Sequence, residues 1–334
     1  MVKSILHSTA LKLESAFARI RPSRARTAAS LDTYLGYTTQ TEIVLRGRVL
    51  AQPSALSNTA GTSRVANIAH MLKLFVTREV ADVPLTCGGV QTRSNEEGYF
   101  ELRLPRTHTP GFHSCTVTLP DGTETECPFL VTDAAAPAMV ISDIDDTVLQ
   151  TGAWSLTRNL WTTFSGSLGS RQMHEDAVAL YGGLAESRGL PFFYVSSSPW
   201  NLYGFLSELF RRSALPRGPM FLRDLGLDQD KFVTSGHGSH KGDSIDTLLA
   251  ANPSLPAILC GDTGQEDARI YHDVIQRHPN RIRAVLLRTP GPGVDAADKV
   301  DLAALKKTGV PVFAGRDFMA FADDLAALVT SEPG

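Results

Sequence analysis

Basic residues are not in excess: 32 Lys and Arg stand against 35 Asp and Glu, a formal charge of −3. A nucleic-acid binder would carry a strong basic surplus, so that class is set aside. Long apolar runs are missing too. No stretch approaches the roughly eighteen residues of a membrane span, and the chain is not expected to cross a bilayer. Cysteine is scarce, with four in 334 residues. Cys87, Cys115, Cys127 and Cys260 form neither a CxxC pair nor a zinc-like spacing. The first three share a strand-rich stretch where a disulfide is conceivable, but reduced, buried thiols in a cytoplasmic protein are the expectation.

Acids are almost absent from the first thirty residues, where Glu14 alone faces Lys3, Lys12, Arg19, Arg21, Arg24 and Arg26. Ile5, Leu6, Leu13, Phe17 and Ile20 fall roughly on one side of a helix. No continuous apolar core follows the basic residues, so a secretory signal is not expected. Residues 1–35 read as a basic amphipathic segment. Either it rests on an anionic membrane surface, as a peripheral contact, or it packs on its own domain.

What is present divides in two. Residues 36–132 show short alternating stretches with turns between them: EIVLRGRVL over Glu42–Leu50, a run within Met71–Val80, YFELRL over Tyr99–Leu104, then His113–Leu119 and Cys127–Val131. Such a pattern predicts a small β-sandwich with no constellation for chemistry. A linker over Asp133–Pro137 follows. Residues 138–330 then alternate apolar strands (Ala138–Ile144, Pro191–Ser196, Ala257–Cys260, Ile282–Leu287, Val310–Ala314) with amphipathic stretches (Glu175–Ser187, Leu202–Arg212, Asp243–Ala251). Continuously apolar strands between helices predict an α/β domain with a parallel sheet covered on both faces. Ligands of such sheets bind beyond the carboxyl ends of the strands.

The polar motifs fall at those ends. The first strand runs into Asp143-Ile144-Asp145-Asp146-Thr147. Acids packed this closely need a cation, and Mg²⁺ suits a site of a few oxygen ligands. One carboxylate serves as nucleophile, Asp143, and a second group, Asp145, protonates the leaving oxygen and then activates water. The second strand ends in Ser196-Ser197-Ser198-Pro199, whose hydroxyl and amides suit a phosphate oxygen. Lys241 in His240-Lys241-Gly242-Asp243 opens a helix, where the dipole disfavours a cation unless it has an anion to hold. Gly261-Asp262-Thr263-Gly264-Gln265-Glu266-Asp267 ends a further strand. Asp262 would complete the metal site, with Asp267 bound directly, through water or behind the ligands. Each piece alone also reads as an ordinary loop, cap or surface lysine.

In the order Asp-x-Asp, Ser, Lys, Gly-Asp, the four motifs resemble the haloacid-dehalogenase-like superfamily. Their wording, together with Pro216-Arg217-Gly218-Pro219 leading to Leu222-Arg223-Asp224, resembles the actin-patch-associated phosphatidate phosphatase family over about Ala138–Leu328. The resemblance implies a Rossmann-like parallel sheet with a small cap. It also implies a Mg²⁺-dependent phosphatase acting through an aspartyl-phosphate, with phosphatidate as substrate and diacylglycerol as product. Carried over by motif, Asp143 is nucleophile and ligand, Asp145 acid/base, Ser196 and Lys241 hold the phosphoryl group, and Asp262 binds metal. Asp145 and Asp267 are further candidate ligands. Ser197, Thr147 and Arg223 are candidates for substrate binding, and Ser196 and Ser197 remain interchangeable on the sequence.

The segment Leu156–Met173, with Trp154 just before it and Trp161 and Phe164 within, departs from the family pattern and is expected to form the cap. Its aromatics meet acyl chains or simply pack. Arg211, Arg212, Arg223, Arg281 and Arg283 either steer an anionic headgroup or form a solvated face. A soluble phosphate monoester is the rival substrate. A silent membrane- or protein-binding scaffold and a phospho-accepting receiver domain are the rival classes. No protein partner is legible.

Overall fold

A computed structural model describes residues 29–51, 79–150, 173–223, 240–264, 266–289 and 296–330. Most of the basic N-terminal segment, the stretch 71–78 and nearly all of the expected cap lie outside these residues.

Seven strands form the first sheet: β1 (Ser30–Thr38), β2 (Glu42–Leu50), β3 (Pro84–Cys87), β4 (Val90–Arg93), β5 (Tyr99–Pro105), β6 (Gly111–Thr118) and β7 (Glu124–Val131). Their spatial order is β4-β3-β6-β7-β1-β2-β5, antiparallel apart from the β1–β7 pair. The end strands β4 and β5 approach each other, so the sheet rolls into a nearly closed barrel. It is one rolled sheet, where two facing sheets were expected. Both arrangements enclose a core by period-2 alternation, so the pattern cannot separate them. Strand β5 shows the alternation plainly: Phe100, Leu102 and Leu104 point inward while Glu101, Arg103 and Pro105 are exposed. With Ile43, Leu45, Leu85, Val117 and Phe129 they fill the interior. Residues 30–35, assigned above to the N-terminal segment, belong to β1.

The second sheet contains β8 (Met139–Asp143), β9 (Phe192–Pro199), β10 (Met220–Arg223), β11 (Ala257–Asp262), β12 (Ile282–Arg288) and β13 (Val312–Gly315), all parallel. Six helices accompany it among the described residues: α1 (Glu175–Arg188), α2 (Tyr203–Arg212), α3 (His240–Ala251), α4 (Asp267–Arg277), α5 (Ala296–Lys306) and α6 (Ala322–Thr330). Alternate strand residues face opposite layers. Val140, Tyr194, Ile258 and Leu286 pack with α1, α2 and α6. Met139, Ile141, Val195, Leu259 and Leu287 pack with α3, α4 and α5. Burial on both faces explains why these strands read as unbroken apolar runs.

The order β10-β9-β8-β11-β12-β13 is decisive for the site. Counted along this half it is 3-2-1-4-5-6, the doubly wound order, in which the connections diverge between the first and fourth strands. Asp143 and Asp262 lie at the carboxyl ends of the two strands where that divergence occurs, β8 and β11.

Candidate active site

Register brings the acids together. Ser142 pairs with Cys260 across β8 and β11, and Asp143 pairs with Val195 across β8 and β9. Asp143 thus stands one residue beyond the last paired position, beside Gly261-Asp262. The chain then turns sharply. Asp146 takes a left-handed φ of 56°, which Asp tolerates better than most residues, and Val148 and Leu149 both donate to Ile144 O. Because the strand does not continue, the two acids of Asp-x-Asp part company.

Asp143 points toward α3. Its Oδ2 accepts from Thr147 Oγ1 at 3.1 Å, and its Oδ1 lies 2.8 Å from Lys241 Nζ. Lys241 Nζ also donates to Asp267 Oδ1 at 2.5 Å. Asp145 turns toward β9, where Ser196 Oγ and Ser198 Oγ both donate to its Oδ2, at 2.9 and 3.1 Å. Ser198 N also donates to Ser196 Oγ at 2.9 Å, which closes the serine segment on itself.

On β11, Asp262 Oδ1 accepts from Gly264 N at 2.7 Å, while Oδ2 is buried without a donor. Asp267 opens α4 and reaches back, accepting from Asp262 N through Oδ2 at 3.2 Å. Gly261 makes that reach feasible: a Cβ there would come 2.5 Å from Asp267 Oδ2 and 2.7 Å from the Tyr271 hydroxyl.

Ligand oxygens of Asp143, Asp262 and Asp267 all lie within 4.8 Å of one another, and all three residues are buried. One ammonium faces three carboxylates. Burial, and then the neighbouring acids, push Asp143 and Asp262 above the usual carboxylate range. Burial also raises Asp145, against the two serine hydroxyls. Burial alone would lower Lys241, but Asp143, Asp267 and Asp262 hold it above the ordinary lysine value. A buried, all-oxygen donor set short of positive charge, with Asp262 Oδ2 unanswered, fits a hard divalent cation such as Mg²⁺. The carboxylate of Asp145 is not part of that trio.

The other expected residues are placed as follows. Thr147 is buried against Asp143. Ser197 is exposed between its buried neighbours, and Arg223 closes β10 at the same edge of the sheet. Arg281 and Arg283 are spent on backbone: Arg281 donates to Leu249, Asn252 and Leu255 carbonyls, and Arg283 to Leu328 O. Arg211 and Arg212 both pair with Glu208 on the surface of α2.

Two residues escaped the sequence reading. Ser198 is one; its i, i+2 spacing from Ser196 is the signal that both share a side. Arg288 is the other, 3% exposed at the carboxyl end of β12. Its guanidinium donates to Thr147 O (2.9 Å), Arg316 O (2.6 Å) and Asp176 Oδ2 (2.8 Å). Its own carbonyl accepts from Thr263 N. Arg288 thereby ties the loop after Asp143 to the loop after Asp262. A lone charge ending an apolar strand, at the edge that carries every motif, was the available sign.

Residues 138–289 match the family described as "Phosphatidate phosphatase APP1, catalytic domain". This is the family that the motifs resemble. Phosphatidate phosphatase APP1 of Saccharomyces cerevisiae is 30% identical over 151 residues, 45% of this chain and 25% of the relative. An uncharacterised protein of Schizosaccharomyces pombe is 28% identical over 152 residues, 45% of this chain and 24% of its own length. The chain therefore spans about a quarter of the curated relatives it matches. A carbohydrate acetylesterase from Xanthomonas citri overlays with a TM-score of 0.36 and 12% identity, over 90% of this chain and 74% of its own. That likeness is too loose to bear on function.

Proposed function

We propose that this chain is a Mg²⁺-dependent phosphatase of the haloacid-dehalogenase-like type, working through an aspartyl-phosphate on Asp143, with phosphatidate as its substrate. The observation that carries the reading is the convergence of Asp143, Asp262 and Asp267 on Lys241 at the carboxyl edge of the parallel sheet. The family match over 138–289 and the named yeast relative support the phosphatidate class. The basic N-terminal segment suits an anionic lipid surface in a cytoplasmic setting.

An oxygen of Asp143 attacks phosphorus in line. The new P–O bond forms as the bond to the leaving alcohol breaks, and Asp145 gives its proton to the departing oxygen. The raised pKa of Asp145 favours the protonated start this requires. Lys241 and the Ser196 hydroxyl hold phosphoryl oxygens, and Thr147 fixes the Asp143 carboxylate. Asp145, now ionised, takes a proton from water as that water attacks the acyl phosphate. Orthophosphate leaves and Asp143 is restored. Mg²⁺, held by Asp143, Asp262 and Asp267, would neutralise charge on the phosphoryl oxygens. Ser197 and Arg223 are the candidates for meeting the rest of the substrate.

The test is phosphate release from phosphatidate in mixed micelles, with and without Mg²⁺, beside a panel of soluble phosphate esters and with Asp143→Asn as control. Selective phosphatidate turnover is expected. Turnover of soluble esters alone would keep the mechanism and discard the lipid, and no turnover of any ester would leave the silent scaffold.

A further inference from the structure

The rolled sheet is joined to the parallel half by one face of β1 and β2. On β2, Ile43 and Leu45 point into the rolled core, while Val44 packs with residues of the parallel half. Arg46 is on the same face as Val44. Its guanidinium lies 4.3 Å from the ring centre of Phe221, 5.0 Å from Tyr37 and 5.2 Å from Trp200. Its Nη2 donates to Met220 O at 3.2 Å. The residue is partly exposed, yet its Nε is shielded from solvent and has no acceptor. Three aromatic faces and one carbonyl hold this cation.

Strand β1 completes the contact by an irregularity. Tyr34 and Tyr37 are three residues apart and would face opposite sides of a regular strand. They pair with Arg46 and Val44, which are two apart, so β1 carries one extra residue there. This bulge turns both rings to the parallel half. Tyr34 stacks on Trp200 at 4.6 Å and 12°, and Leu35 N donates to the Tyr203 hydroxyl at 2.6 Å. Trp200 follows Pro199 directly, so it anchors the end of the Ser196–Ser198 segment. The other end of that segment is fixed within β9, whose Val195 pairs with Phe221.

We propose that the outer face of β1 and β2 positions the Ser196–Ser198 segment for binding a phosphoryl group, with Arg46 as the positioning residue acting through Trp200. The rolled sheet is then part of the active site's support and not a detachable recognition module. The proposal rests on the reading of Ser196 as a phosphoryl-binding group. Without Arg46, Trp200 loses its cation and keeps the contacts with Tyr34 and Tyr203, and Met220 O loses its donor. The serine hydroxyls that hold Asp145 gain freedom, and small misplacements at such groups are costly.

The experiment uses the full chain in three variants. Arg46→Met removes the cation, Arg46→Lys keeps charge but not the planar stack, and Thr132→Val breaks a different contact between the halves. Thr132 Oγ1 donates to Asn252 Oδ1 at 2.6 Å, and Asn252 follows α3 at the amino ends of the strands, away from the serines. Orthophosphate binding is measured by calorimetry with Mg²⁺ present, and hydrogen exchange is followed in the peptide spanning 196–202. Arg46→Met is expected to weaken orthophosphate about tenfold and to speed exchange in that peptide, with Arg46→Lys intermediate. Thr132→Val is expected to lower the melting temperature while leaving both readouts alone. Unchanged binding and exchange in Arg46→Met would overturn the proposal, as would equal changes in Thr132→Val. If Arg46→Met does not fold, Arg46→Lys carries the same comparison. A wild type that binds no orthophosphate overturns the reading of the site; exchange in 196–202 then decides separately whether Arg46 holds the segment.

Discussion

Among the described residues of the rolled sheet, buried polar side chains find partners, except Arg46 Nε on its outer face. Thr38 Oγ1 donates to Leu130 O, Ser94 Oγ to Val80 O, and Arg48 to Glu97 O and Glu79. At the carboxyl edge of the parallel sheet, Asp143 and Asp267 share the one ammonium of Lys241, and Asp262 Oδ2 is buried without a donor. The first region uses buried polarity to close its structure. The second holds unmatched charge, which a fold covered by two apolar layers can carry and which a cation and a phosphoryl group would relieve. Satisfied polarity reads as architecture, and clustered carboxylates short of positive charge read as a site.

That contrast can be broken at several points. The largest effect is expected from Asp143→Asn, which should lower Mg²⁺-dependent phosphate release by at least ~10⁴-fold, as loss of a nucleophile does elsewhere; residual wild-type-like turnover, with deamidation excluded, would sink the mechanism. Next comes Arg288→Met. Removing one partner of a buried pair costs about 3 kcal/mol, and because Arg288 holds Thr147 O, turnover should fall along with stability in denaturant titration. Arg48→Met makes the matching break in the rolled sheet. It should cost about 2 kcal/mol and leave kcat alone, so a large loss of kcat would erase the distinction between the two regions.

The smallest effect has the opposite sign. Asp262→Asn should stabilise the metal-free protein by about 1 kcal/mol while abolishing turnover. The folded pKa of Asp262 is raised, so its contribution to stability is present at low pH and lost as pH rises through that value. The gain from Asp262→Asn should therefore grow with pH, which melting curves in a chelator would reveal. A gain that stayed flat or shrank with pH would mean that the acid is not strained.

Much of this was legible beforehand where period and burial agree. Strand β2 appears with the limits read from its pattern, Glu42–Leu50, and the apolar runs around Ile141, Leu259 and Val285 are strands of one parallel sheet. Strands β3, β4 and β10, of four residues each, carry no pattern long enough to mark them, whereas the equally short β13 lies in the longer apolar run Val310–Ala314. Strand β1 was hidden because its bulge breaks alternation at the two tyrosines that matter. The scattered arginines looked alike in sequence, yet Arg281 and Arg283 cap carbonyls while Arg288 braces the site. A side chain's partner lies on another element, and no local pattern encodes it.

By itself the sequence determined the parallel sheet, the edge on which the chemistry-bearing residues fall, and the residue types able to hold a phosphoryl group. Those follow from hydrophobic periodicity and from acids, serines and a lysine placed where strands end. Only the tertiary structure decided which of the four candidate carboxylates meet, with Asp145 outside the cluster and Asp267 within it. Adjacent in sequence, Asp143 and Asp145 point to different partners, while Asp262 and Asp267 come more than a hundred residues along the chain to join Asp143 and Lys241. The cause is the left-handed turn at Asp146 and the crossing of the sheet between β8 and β11: backbone geometry, not spacing, sets the direction of a side chain once a strand has ended.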